Sequence, residues 1–170
     1  MSELKKLSAA AIPAALQKAE RYRLLNEPEQ AESICEDVLA IQPDHEEAKA
    51  MLILALTDQL AGGAHDRAGV VARAQTLAAT VASEYHRNYY SGLIAERRGR
   101  AVLARGGAGA RAAAGEWIRE AMQRFADAER MRPADDDSAI LRWNACVRLL
   151  ETHPHLAEAP EDRPEPLMSE

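Results

Sequence analysis

Aromatic residues are scarce in this chain. One Phe, two Trp and four Tyr make up 4% of 170 residues. β-Sheets draw on aromatic and β-branched side chains, and a chain this poor in them has little to build sheets from. Its 47% hydrophobic content is therefore mostly Ala and Leu, both strong helix formers. Cysteine is scarce too. Cys35 and Cys146 fall at positions that read as buried helix faces, which suits small core hydrophobes better than a disulfide. No CxxC or HExxH spacing occurs, so no metal is expected. No apolar run approaches the roughly 20 residues that span a bilayer. The run Ala9–Ile12, cut by Pro13, is too short for a secretory signal. A soluble cytoplasmic protein with no membrane role is the expectation.

Basic charge is also in deficit, with a formal net charge of -6. A general nucleic-acid binder is normally basic, so no nucleic-acid partner is expected. The deficit is uneven. Between Glu84 and Arg148 twelve Arg face nine acidic residues, whereas from Leu149 onward Arg163 faces six acids. An Arg-rich region thus lies inside an acidic chain.

What is present is an internal repetition. Ala31, Cys35, Val38 and Pro43 recur as Ala121, Phe125, Ala128 and Pro133 at the same spacing. A small residue lets two helices approach, a larger one plugs the gap beside it, and Pro ends the helix because it cannot extend the hydrogen-bond ladder. Upstream of the first copy, Ala19 and Tyr22 precede a turn at Asn26, a residue that tolerates left-handed geometry. Pro28 suits the first turn of the next helix. Upstream of the second copy, Tyr89 to Gly99 carries Gly92 and Gly99 in the corresponding places. Asp44 is expected to cap the third helix, with Glu47 as its capping-box partner. The run Asp135–Asp137 is expected to cap the last helix.

Together these residues resemble the tetratricopeptide repeat (TPR) pattern, as a short bacterial-type array with a degenerate middle repeat. Pro43 and Pro133 lie 90 residues apart, whereas two ideal repeats would span about 68. The excess falls around residues 61–66 and, above all, in an insertion at 100–116. The resemblance implies an all-α, right-handed superhelix of about three helical hairpins plus a C-terminal capping helix. Seven helices are predicted, at Ile12–Leu25, Pro28–Ile41, Glu46–Leu60, Arg67–Ala82, Glu84–Ala104, Ala112–Met131 and Asp137–Glu151. The domain organisation follows: residues 1–11 an arm, 12–152 the repeat domain, and 153–170 a Pro-rich acidic tail expected to be disordered.

Function follows from the resemblance. In TPR proteins the first helix of each repeat lines a concave groove. That implies a protein-interaction adaptor or scaffold taking a peptide segment or partner protein, acidic or apolar in character. The implied contacts are Met51, Leu54 and Asp58 on the third helix. On the fifth they are His86, Tyr89, Tyr90, Leu93 and Arg97, and Arg148 on the seventh. Tyr and Arg are the types that dominate binding hot spots. A Lys- and Asn-based clamp for chaperone C-termini is not visible. The alternatives are self-assembly into a homo-oligomer, or a small-molecule or enzymatic role for the inserted region.

Other motifs weigh less. Gly107, Gly109 and Ala112 match the dinucleotide fingerprint GxGxxA, but no strand pattern precedes them, and a Gly-rich linker in an inserted loop is the better reading. His153-Pro154-His155 reads as a helix terminus rather than a metal site. No nucleophile–base pair, paired carboxylates or cofactor motif supports an enzyme, so neither catalysis nor a cofactor is expected.

Overall fold

The computed structural model describes residues 3–61 and 69–156, and among them every regular element is helical. A short 3-10 turn, Ala9–Ala11, leads into α1 (Ile12–Leu24). Then follow α2 (Pro28–Ile41), α3 (Glu46–Asp58), α4 (Val70–Ala78), α5 (Glu84–Arg105), α6 (Ala110–Glu129) and α7 (Ser138–Thr152). A last 3-10 turn, Pro154–Leu156, closes the described chain. The start expected for α4 at Arg67 and the extra residues around 62–66 lie outside the described residues.

The small-large-small device of the sequence is the packing code of α2 and α6. Ala31, Cys35 and Val38 are fully buried, and so are Ala121, Phe125 and Ala128. Gly92 shows why the small positions matter. A Cβ there would meet the Phe125 ring at 2.7 Å, and one at Gly99 would meet Ile118 Cδ1 at 3.0 Å. Their hydrogens let α5 and α6 lie against each other along most of their length, the most extensive pairing in the molecule. Consecutive helices pack against each other, α1 with α2 and so on to α6 with α7. A second set of contacts joins α1 to α3, α3 to α5 and α5 to α7. The odd-numbered helices therefore form one continuous layer. Polar side chains stitch α4 back to α2: Arg73 pairs with Glu32 at 2.6 Å and Glu36 at 2.7 Å.

Local chemistry explains the ends of the helices. Asn26 takes φ 60, the left-handed turn expected of it, and Pro28 opens α2. The expected cap of α3 is different. His45, not Asp44, holds the N-cap, and its Nδ1 accepts the Ala48 N–H at 3.3 Å. Asp44 stays exposed near Lys49, and Glu47 makes no capping box. Glu46 instead reaches the far end of the hairpin and accepts the Ala82 N–H at 3.0 Å. At α7 the N-cap Asp137 makes no side-chain cap bond; Asp136, one residue earlier, accepts the Ser138 N–H through Oδ1 at 2.8 Å.

The insertion at 100–116 is mostly helix, within two residues of the predicted ends at Ala104 and Ala112, with its Gly-rich stretch as the turn between them. The extra length is helix: α5 runs on to Arg105 and α6 starts at Ala110. The connection between them is only Gly106–Gly109, a tight turn in which Gly106, Gly107 and Gly109 all have positive φ. No strand stands beside GxGxxA, so it is not a dinucleotide loop. The tail boundary shifts as well. Residues 154–156 are folded, with Leu156 buried against α6 and its carbonyl accepting from Arg119 Nη1 at 3.2 Å. A Cβ on Gly115 would meet that carbonyl at 2.6 Å. Residues 157–170 lie outside the described part.

Candidate functional site

The layer of odd-numbered helices carries most of the residues expected to bind a partner. On α3, the stripe Met51, Leu54 and Asp58 is the less buried side of a helix whose other faces are in the core. On α5 the aromatic residues divide. Tyr85 and Tyr89 point toward α6 and α7, with Tyr89 packed 6.1 Å from Phe125. His86 and Tyr90 stack on each other, 6.1 Å apart and nearly parallel, and Tyr90 adjoins the core of the first four helices. Burial pushes the Tyr90 hydroxyl above its usual range.

Leu93 does not reach the surface. It is fully buried, as are Gly92 and Ile94 to Glu96 at low exposure. The cause is topological: α5 packs against α3, α4, α6 and α7 at once, so its middle turn has no free side. Arg148 is exposed, on the outward stripe of α7 with Leu141 and Asn144.

Charge runs across the layer in a chain of ion pairs. Asp58 of α3 is shared by two arginines: Arg23 of α1 donates through Nε at 2.7 Å, and Arg97 of α5 through Nη1 at 2.7 Å. Arg97 also donates to the Leu54 carbonyl at 3.0 Å and to the Thr57 hydroxyl. Burial pulls its guanidinium below the usual range, while Asp58 opposes that shift. One residue earlier on α5, Glu96 is 1% exposed. It accepts from Arg100 Nε at 2.8 Å and faces Arg142 Nη1 of α7 at 3.6 Å. Every helix of the layer thus contributes a charged group. Four arginines meet two carboxylates in this network, and Glu20 is a further acid beside Arg23 in the seam of α1 and α3.

Surface shape follows the same seams. A depression of about 260 Å³ lies between α1 and α3, beside Arg23 and Asp58. One of about 270 Å³ lies between α3 and α5, beside Arg97 and Arg100. A third, about 350 Å³, lies between α5 and α7, walled by Tyr89, Leu141 and Arg142. Each seam therefore holds a small hollow with an arginine in its wall.

Sequence reasoning singled out Asp58 and Arg97 but missed Arg23 as Asp58's second partner and Glu96 as a buried charge. A signal existed for Arg23. It continues the buried stripe Leu16, Ala19 by the i+3, i+4 rule, so it had to meet the neighbouring helix. Lys49 was missed too. It is buried at 4% exposure and donates to the Thr80 carbonyl at 3.0 Å, tying α3 to the end of α4.

Burial pushes both thiols, Cys35 and Cys146, up to about 12, which keeps them protonated and inert. No group of three metal-ligating side chains occurs among the described residues, and none of their helices is long and apolar enough to cross a membrane. The described residues form an all-α protein whose odd-numbered helices make a layer bearing arginine and aromatic side chains. Comparison of the chain with protein-family models, with curated proteins and with solved structures gives no match.

Proposed function

We propose that this chain is a TPR-like adaptor that takes an extended, acidic segment of a partner protein across the layer of α1, α3, α5 and α7. One observation carries the reading: consecutive hollows lie in the seams of that layer, each beside an arginine. An extended segment places side chains at regular steps, and successive hollows can receive them while guanidinium groups pair with its carboxylates. The arginines Arg23 and Arg97 are pre-organised by Asp58, which lowers the entropy lost when they bind. His86, Tyr90, Met51 and Leu54 supply the apolar contact between the charges.

A randomised library of extended peptides tests this. Selection on the full chain should enrich Asp and Glu, and the selected peptides should bind His86→Ala and Arg142→Gln at least about tenfold more weakly. Circular dichroism establishes that both variants stay helical. Peptides without acidic enrichment, or binding unchanged in both variants, would overturn the assignment. Sedimentation at several concentrations addresses self-assembly, since a self-association that H86A and R142Q abolish would make a second copy the occupant.

A further inference from the structure

A separate cavity lies at the end of the molecule, between the α5–α6 turn and the last described turn. It holds about 780 Å³, within the range of pockets that take small ligands. Its polar side chains are Arg100, Arg111, His153 and His155, and the remaining walls are Ala, Leu and three glycines. Among the described residues no carboxylate lines it. In a chain of net charge -6, a cavity with four nitrogen-bearing side chains and no acid is a local inversion of charge.

Four details bear on what it holds. His155 Nε2 is buried and meets no hydrogen-bond partner among the described residues. A buried polar atom without a partner is costly, and a bound acceptor would remove the cost. His153 spends Nδ1 on the Leu149 carbonyl at 3.2 Å, leaving Nε2 for another group. Arg111 is exposed and makes no ion pair among the described residues. The first turn of α6 opens on the same cavity. Gly109 caps it with no side chain, and no acid stands in that turn; Ala110 N–H donates to the Gly107 carbonyl, while the N–H groups of Arg111 and Ala112 meet no partner among the described residues.

We propose that this cavity binds a phosphate-bearing anion, with Arg111 and His155 as its principal side-chain donors. Guanidinium forks and imidazole N–H groups match phosphate oxygens in geometry and charge. The site is distinct from the layer proposed to bind a partner segment, apart from Arg100, whose Nε already serves Glu96.

Inorganic diphosphate is the probe, titrated calorimetrically into the full chain. Saturable one-to-one binding is expected, about tenfold or more weaker in Arg111→Gln and in His155→Gln. The exposed Arg130→Gln, on α6's far end, should leave it unchanged. Arg111 is exposed, so R111Q reports on binding even where H155Q disturbs folding. Equal weakening in R130Q would reduce the effect to diffuse charge and overturn the site, as would no saturable binding at all. Vesicles of phosphatidylglycerol, against phosphatidylcholine, distinguish sources: sedimentation with the former that R111Q abolishes puts the phosphate on a lipid headgroup and supports the site. A full-length chain with Glu158, Glu161, Asp162 and Glu165 changed to their amides supplies the last arm. Diphosphate binding seen only in that chain would overturn a diffusible ligand and assign the cavity to the chain's own carboxylates.

Discussion

Gly92 and Phe125 form a close complementarity between α5 and α6. The ring is fully buried and fills the space that a Cβ on α5 would take. Gly92→Ala should therefore destabilise by about 1–3 kcal/mol, even though Ala is the better helix former. Denaturant midpoints measure it. Phe125→Leu in the G92A background should recover part of the loss, and strict additivity of the two changes would mean that the ring contact is not the cause. Asp58 is a second residue whose worth is relational. It separates two guanidinium groups that repel each other. Asp58→Ala should cost about 2 kcal/mol, between the ranges for exposed and buried pairs. An added Arg97→Met should return part of that, because it removes the unpaired cation.

Among elements, α6 and the turn at Pro154–Leu156 depend on one another through Gly115. With the Leu156 carbonyl 2.6 Å from where a Cβ would be, Gly115→Ala must displace the turn, since a backbone atom cannot swing aside as a side chain does. Helix content measured by circular dichroism should hold, while amide exchange around Leu156 accelerates and diphosphate binding weakens with the displaced His155. Unchanged exchange at Leu156 would show that the turn is not held by this contact. The α5–α6 pair shows a related lesson. The residues in excess of the repeat spacing lengthen these two helices, because Ala-rich sequence on both sides of Gly106–Gly109 propagates helix at little cost once a partner helix is present to bury it.

For the molecule as a whole, hairpins are joined by reaching carboxylates as well as by packing. Glu46 is held below the usual carboxylate range by Lys49 first and the Ala82 N–H second, and Asp136 by Ser138. A carboxylate whose folded value is depressed adds stability above its unfolded value, and that stability fades as pH falls through the folded one. The stack should thus be most resistant near neutrality and lose stability from about pH 4 downward. Chemical-denaturation midpoints between pH 7 and 3 should show the decline, shallower in Glu46→Gln. A Glu46→Gln chain with an acid limb as steep as wild type would remove Glu46 from the account.

The two hairpin signatures, Ala31…Pro43 and Ala121…Pro133, were enough to read helix number, most helix ends and the buried face of α2 and α6. These depend on spacing along one chain segment, and periodicity carries that directly. Asn26 and Pro28 were legible for the same reason, being local demands on φ. Leu93 was not. Its position on the stripe with His86, Tyr90 and Arg97 is a local fact, but its burial arises from four helices closing around α5. The cap at His45, the double use of Asp58 and the buried Glu96 likewise join groups far apart in sequence. So does the cavity at Arg111 and His155, which forms only when the end of α7 folds back on the start of α6. Sequence alone determined the helices and their apolar faces. Tertiary structure decided which charges meet and which surface is left to bind, because those depend on distances that no local periodicity encodes.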